Sequence, residues 1–180
     1  MEVPKALVRE VSGRAWLVSA VEVLLTGGCD MVTIVLGAAA DDAEQILADE
    51  LTDGDRTEVV RASAWNLGWV PPFRDGLSSM VDVAESSAVG AALVHLVDLP
   101  DGGAAMVQRV LSAITVGPSA LARASYAGIP GHPVLLGQYH WPQVCKAAVG
   151  DRGARSYLST HAPALIECGD LATGVDVDRR

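Results

Sequence analysis

Met31–Gly37, MVTIVLG, is an aliphatic, largely β-branched run interrupted only by Thr33. A strand with one wet face alternates apolar and polar residues; this one does not, so it reads as a parallel strand covered on both faces. Parallel neighbours need long crossovers, and the flanking sequence supplies helices on both sides. Upstream, Gly13–Gly28 places Trp16, Leu17, Ala20, Val21, Leu24 and Leu25 at i, i+3, i+4 spacing and ends on glycines, the pattern of a buried helix and its stop. Downstream, a helix over 41–51 carries Asp41, Asp42 and Glu44 in its first turn, where the macrodipole favours negative charge.

The alternation continues. Strands are expected at 57–62 and 91–97, helices at 77–85 and 103–114, two short strands around a Gly/Pro loop in 121–136, helices at 141–148 and 154–161, and a last strand at 165–167. Ser63–Gly76, with two Trp, two adjacent prolines and Phe73, reads as an ordered loop beside a ligand. This rhythm predicts an α/β fold, a doubly wound, mostly parallel sheet in a single domain over 1–180, with ligands outside the carboxyl ends of the strands. No strand precedes the first helix, so the usual first strand of such a sheet is lacking.

Composition narrows the partners. Half of the 180 residues are apolar and 19% are charged, which suits a folded domain rather than a disordered segment. The net charge of −9 opposes nucleic acid and anionic membrane surfaces. No apolar run approaches the roughly 20 residues of a membrane span, and the start lacks a signal-peptide core, so a cytoplasmic location is expected. Cys29, Cys145 and Cys168 show no C-x-x-C spacing and read as reduced, buried thiols.

Asp98 follows the apolar run AALVHLV, and one carboxylate there can anchor Mg²⁺ when substrate phosphates and water complete the shell. Equally, Asp98 or Asp101 starts or caps the next helix. Asp176 and Asp178 in GVDVD can meet Asp98 from another strand end or form a solvated tail. Lys5 in VPKAL precedes a helix, where an ammonium can neutralise phosphate or simply face water. Asn66, Gly76, Ser78 and Ser79 offer amide, backbone and hydroxyl groups to a base or ribose; read as plain structure they are a turn former and early helix residues. Gly131, His132 and Pro133 in GIPGHPV, with Asp151, Arg152 and Arg155 in GDRGAR, form another polar group, in which Asp151 is also a natural N-cap. The sequence holds no G-x-G-x-x-G, phosphate-loop, nucleophile-elbow or H-x-x-x-H pattern.

The order of these motifs is more specific than any one of them. PKALV (4–8), GRAWL (13–17), GGCD (27–30) before VTIVLG, Asn66 with DGLSS (75–79), VDLPD (97–101), YAGIPGHPVLL (126–136), GDRGAR (150–155) and VDVD (175–178) follow one another as in the MobA-like nucleotidyltransferases, which the whole chain resembles. GHPVLL and GDRGAR are similar to signatures of the branch that contains molybdenum cofactor cytidylyltransferase. The resemblance implies a Rossmann-like fold of the nucleotide-diphospho-sugar transferase type. It also implies transfer of CMP or GMP from CTP or GTP to a phosphorylated acceptor, molybdopterin foremost, with release of pyrophosphate and with Mg²⁺ as cofactor. By the same resemblance Lys5 contacts NTP phosphates and Asp98 binds metal, joined by Asp176 or Asp178. Asn66, Gly76, Ser78 and Ser79 fall on the nucleotide side; Gly131, His132, Pro133, Asp151 and Arg155 fall on the acceptor side.

Members of that family begin with a strand and a glycine-rich loop of the type LAAGxSxRMGxPK. This sequence starts at the loop's last residues, with Glu2 in place of a glycine, and the TPED continuation after the terminal acidic pair is also missing. The expectation is a domain shortened at its N-terminus or a degenerate paralogue, with an apolar gap in the centre of the sheet. Two other functions compete with the enzyme: an inactive nucleotide- or partner-binding relative, for instance a factor serving a molybdoenzyme, and a sugar-phosphate nucleotidyltransferase.

Overall fold

A computed structural model of the chain describes residues 3–52, 54–68, 70–86, 90–148 and 154–177. Among the described residues six helices and six strands follow one another: α1 (Trp16–Thr26), β1 (Val32–Leu36), α2 (Ala40–Glu50), β2 (Thr57–Arg61), α3 (Val70–Ser86), β3 (Ala91–Val94), α4 (Ala104–Ser112), β4 (Leu121–Tyr126), β5 (Ile129–Gly137), α5 (Trp141–Ala147), α6 (Arg155–His161) and β6 (Ala164–Glu167). The strands form two sheets, β1-β2 and β3-β5-β4-β6. β1 and β2 are parallel, as are β4 and β6, while β5 runs antiparallel to both β3 and β4. The sheet is therefore mixed, and the one reversed strand follows from the tight Ala127–Gly128 turn, which joins β4 to β5 without a crossover.

Alternation along the strands assigns the helices to faces. Ala92 of β3 and Val134 and Leu136 of β5 pack with Phe73 and Leu77 of α3, Val144 of α5 and Leu158 of α6. Leu135 of β5 and the alternate residues Ala122 and Ala124 of β4 pack instead with Met106, Val107 and Val110 of α4. β1 repeats the division: Val32, Ile34 and Leu36 meet Leu17 and Val21 of α1 and Leu47 of α2. Its Val35 lies under α3, so close that a Cβ on Gly76 would stand 2.7 Å from Val35 Cγ2. Helices α1, α2 and α4 thus cover one face and α3, α5 and α6 the other, the doubly wound layering expected of the alternation. α1 and α3 reach across the break between the two sheets from opposite sides, and beneath them lies a cavity of about 530 Å³.

The segment 63–76 differs from expectation. Only its first part is loop, with a 3₁₀ turn at Trp65–Leu67, and α3 begins at Val70. Pro71 and Pro72 lie in the first turn of that helix, where backbone N–H groups have no intrahelical acceptor and proline loses nothing. The strand expected at 91–97 ends at Val94, so Asp98 stands in the turn beyond it. Of the three thiols only Cys168 is fully buried; Cys29 and Cys145 are half-buried, and all are free. Among the described residues no helix is long and apolar enough to cross a membrane.

Candidate active site

Past the carboxyl end of β3 the chain runs His95, Leu96, Val97, Asp98, and Asp98 turns inward to 8% exposure. Lys5 meets it from the other end of the sequence. A 3₁₀ turn at Lys5–Leu7, entered through Pro4 and closed by the Leu7 amide donating to the Pro4 carbonyl at 2.9 Å, aims the ammonium so that Nζ donates to Asp98 Oδ2. The C-terminal segment also comes here: the Val177 amide donates to the Asp98 carbonyl at 2.9 Å. Asp101 ties down that segment, accepting from the Thr173 amide and hydroxyl at 2.7 and 2.6 Å. Helix α4 is capped by Gly103 without a side-chain bond, so neither Asp98 nor Asp101 acts as its cap.

The GIPGHPV segment forms the adjoining wall. Arg123 on β4 donates through Nε and Nη2 to the Gly131 carbonyl at 3.1 and 3.0 Å. The Tyr126 hydroxyl donates to the His132 carbonyl at 2.6 Å and lies 2.9 Å from Met106 Sδ. Pro133 follows through a cis peptide bond and is fully buried. Burial pushes the His132 imidazole down to about 4, with Arg123, His95 and Arg155 acting in the same direction and Asp98 opposing. His95 is likewise pushed down to about 4 by burial, against the pull of Asp98, and its Nδ1 is buried without a hydrogen-bond partner. Two neutral imidazoles, a carboxylate, an ammonium and two guanidinium groups therefore share one electrostatic neighbourhood in an otherwise acidic protein.

The structure brings Lys5, Asp98, Gly131, His132, Pro133 and Arg155 to this region, and Gly76 lines the cavity that opens beside Lys5 and Asp98. The remaining described candidates lie at the surface or on their own helix. Asn66 and Ser78 are exposed, and Ser79 on α3 spends its hydroxyl on the Gly76 carbonyl at 2.9 Å. Asp176 is exposed beside the docked Val177; Asp151, Arg152 and Asp178 lie outside the described residues. His95, Arg123 and Tyr126 were not singled out by sequence. A histidine within an aliphatic strand run, three residues before the key aspartate, was the available signal for the first.

Among the described residues no three His, Cys, Asp or Glu side chains gather as a metal cluster. A resident, all-protein metal centre does not fit this donor set. One buried carboxylate at the carboxyl rim does fit a hard cation that arrives with phosphate oxygens and water as its other ligands.

A family model described as MobA-like NTP transferase domain matches residues 1–165 of the chain. Nicotine blue oxidoreductase of Paenarthrobacter nicotinovorans is 32% identical over 184 residues, spanning 97% of this chain and 83% of that protein. Among solved structures, Rv0371c of Mycobacterium tuberculosis H37Rv in complex with manganese superposes with a TM-score of 0.65 at 22% identity, over 97% of this chain and 86% of that one. A nucleotidyl transferase from Methanothermobacter thermautotroptrophicus gives a TM-score of 0.71 at 17% identity, over 92% of this chain and 75% of that one. At such identities the structural likeness is one of fold.

Proposed function

Because this chain belongs to the MobA-like NTP transferase family, we propose that it moves CMP or GMP from CTP or GTP to a phosphorylated small-molecule acceptor, molybdopterin foremost, and releases pyrophosphate. The observation that carries this reading is the Lys5–Asp98 pair, a cation and a carboxylate side by side at the carboxyl rim of the sheet. The acceptor phosphate oxygen attacks the α-phosphorus in line, the bond to the β,γ-diphosphate breaks, and pyrophosphate leaves with the electron pair. The attacking oxygen is already anionic, so no protein group need remove a proton. Lys5 leaves Asp98 to cover nucleotide phosphate charge, and Asp98 is thereby freed to hold Mg²⁺. Bound there, a divalent cation offsets charge on the phosphate oxygens. The manganese complex of a structural neighbour accords with a divalent cation in this role. Arg155, Arg123 and the His132 segment form the acceptor side, where the neutral imidazoles of His95 and His132 can donate hydrogen bonds without adding charge.

Pyrophosphate release from CTP and GTP, with and without molybdopterin and with sugar phosphates as alternative acceptors, tests the reading. Release should need Mg²⁺ or Mn²⁺ and fall at least about 100-fold in Asp98→Ala, the loss expected when a transition-state charge partner is removed. Nucleotide binding without release under all these conditions would identify a non-catalytic binder instead.

A second reading is favoured by the curated relative, whose name is that of an oxidoreductase. Consumption of nicotine blue in the presence of an added two-electron donor, unaffected by Asp98→Ala, would establish it.

A further inference from the structure

Between the pairs Arg123↔Val134 and Ser125↔Pro130, β4 spends one residue, Ala124, where β5 spends three, Gly131, His132 and Pro133. The acceptor-side wall is therefore a bulge, and a bulge interrupts the backbone ladder. Side chains of β4 take over: Arg123 holds the Gly131 carbonyl and Tyr126 the His132 carbonyl. Outward of the bulge the hairpin has two residue pairs, Ser125↔Pro130 and Tyr126↔Ile129, and Pro130 has no N–H to give. The turn that closes it has Ala127 at φ 51° and Gly128 at φ 79°, and the bond across such a turn uses neither of the two central amides. So short a ladder does not by itself fix the tilt of the hairpin tip.

Glu167, the last residue of β6, provides that hold. Its Oε1 accepts from the Ala127 amide at 2.9 Å and the Gly169 amide at 3.0 Å. Its Oε2 accepts from the Gly128 amide at 3.1 Å and the Ser125 hydroxyl at 3.0 Å. Both central amides of the turn are thereby used. The amides of Ala127, Gly128 and Gly169 favour the ionised form and hold the carboxyl below its usual range. The root of the side chain is fixed as well: Arg109 of α4 donates to the Glu167 carbonyl at 3.0 Å, and the Cys168 amide donates to the Ser125 carbonyl at 2.8 Å. A Cβ at residue 169 would stand 2.7 Å from Oε1, so the carboxylate fills the room that this glycine leaves. An ordinary surface glutamate is solvated; this one is tied at once to β4, to the turn and to the segment after β6.

We propose that Glu167 is a positioning residue for the acceptor: its carboxylate pins the tip of the β4–β5 hairpin and so sets where the Gly131–Pro133 wall stands, which rests on the reading of that wall as the acceptor side. It touches no substrate. Its effect is confined to one of the two substrates, because the hairpin carries the wall and not the Lys5–Asp98 pair.

Glu167→Gln keeps the size and one acceptor oxygen but turns an NH2 group toward N–H donors, so part of the hold is lost. KM for the phosphorylated acceptor should rise at least about 5-fold, with KM for the NTP within about 2-fold of the parent. Gly169→Ala, which crowds the carboxylate off its amides with the charge retained, should give the same split, and it serves if the glutamine variant folds poorly. Asp170→Asn weakens the neighbouring pair with Arg109 without touching the hairpin and should leave both KM values unchanged. The wall is also read without turnover: the amide proton and nitrogen resonances of Gly131 and His132 should shift in Glu167→Gln and Gly169→Ala, and exchange at Ala127 and Gly128 should quicken at least about 10-fold. Unshifted resonances at these two residues, an equal rise in both KM values, or the same split in Asp170→Asn overturns the proposal. A parent chain that releases no pyrophosphate with any acceptor overturns the function reading instead, and the resonances then decide by themselves whether Glu167 holds the wall.

Discussion

Gly131→Ala probes how the acceptor-side wall is held. A Cβ at residue 131 would stand 2.6 Å from Tyr126 Cε2 and 2.9 Å from Cδ2, where ordinary contact begins at 3.4 Å, so ring and strand must separate by about 0.8 Å. The ring has little freedom to give. Its hydroxyl is fixed on the His132 carbonyl and against Met106 Sδ, and the Cα of Gly174 approaches the same Cδ2–Cε2 edge, where a Cβ would lie 2.1 Å from Cδ2. Tyr126 is 8% exposed, so it cannot swing into water without opening the core around it. Overpacking of this kind costs about 1–3 kcal/mol. At roughly 2–4 °C per kcal/mol for a chain of this size, the melting midpoint should fall by about 2–12 °C. Circular dichroism melts of Gly131→Ala, Tyr126→Leu and the double variant check the mechanism: the double variant should cost at least about 0.5 kcal/mol less than the sum, because the leucine vacates the space that the new methyl needs. A single variant melting within 1 °C of the parent, or strictly additive costs, would refute the idea that Tyr126 clamps this segment.

His95 and His132, both held near 4 by burial, bind protons in the unfolded chain first. Stability is therefore complete above about pH 6.5 and is lost as pH falls from there toward 4, by up to roughly 3 kcal/mol for each ring. Urea midpoints between pH 7 and 5.5, above the range of most carboxylates, should fall in the parent and flatten in His95→Gln/His132→Gln. Trp141→Phe removes the Nε1 bond to the Leu136 carbonyl at 2.9 Å and part of a side chain only 2% exposed; a loss of about 2–3 kcal/mol is expected in denaturant unfolding. On the proposed chemistry Lys5→Ala should raise KM for the NTP at least about 10-fold, with a smaller change in KM for the acceptor, in steady-state pyrophosphate assays.

Much of the fold was legible in sequence because its signals are local. The aliphatic run of β1, interrupted only by Thr33, and the i, i+3, i+4 stripe of α1 each fix an element whatever packs on it, and both lie where the pattern put them. Two tryptophans, two adjacent prolines and Phe73 make 63–76 read as loop, but the penalty for proline falls on helix interiors, and Pro71 and Pro72 sit in a first turn. Lys5 and Asp98 are legible from local pattern only one at a time, as phosphate and metal groups; the order of the motifs puts them at one site, and their direct contact across 93 positions of sequence is what the structure adds. His95 escaped notice because an isolated histidine in a strand reads as a filled core position until its neighbours are known.

The sequence by itself determined the alternation of strands and helices and the covered character of the first strand, since each depends on residues within a turn or two of one another. Only the tertiary structure decided that β5 runs against its neighbours, that two half-buried histidines share the electrostatic neighbourhood of Asp98, and that a cavity opens between β1 and β3. Those facts depend on burial and on which backbone groups face each other, and both are set by contacts between segments that hydrophobic periodicity cannot register.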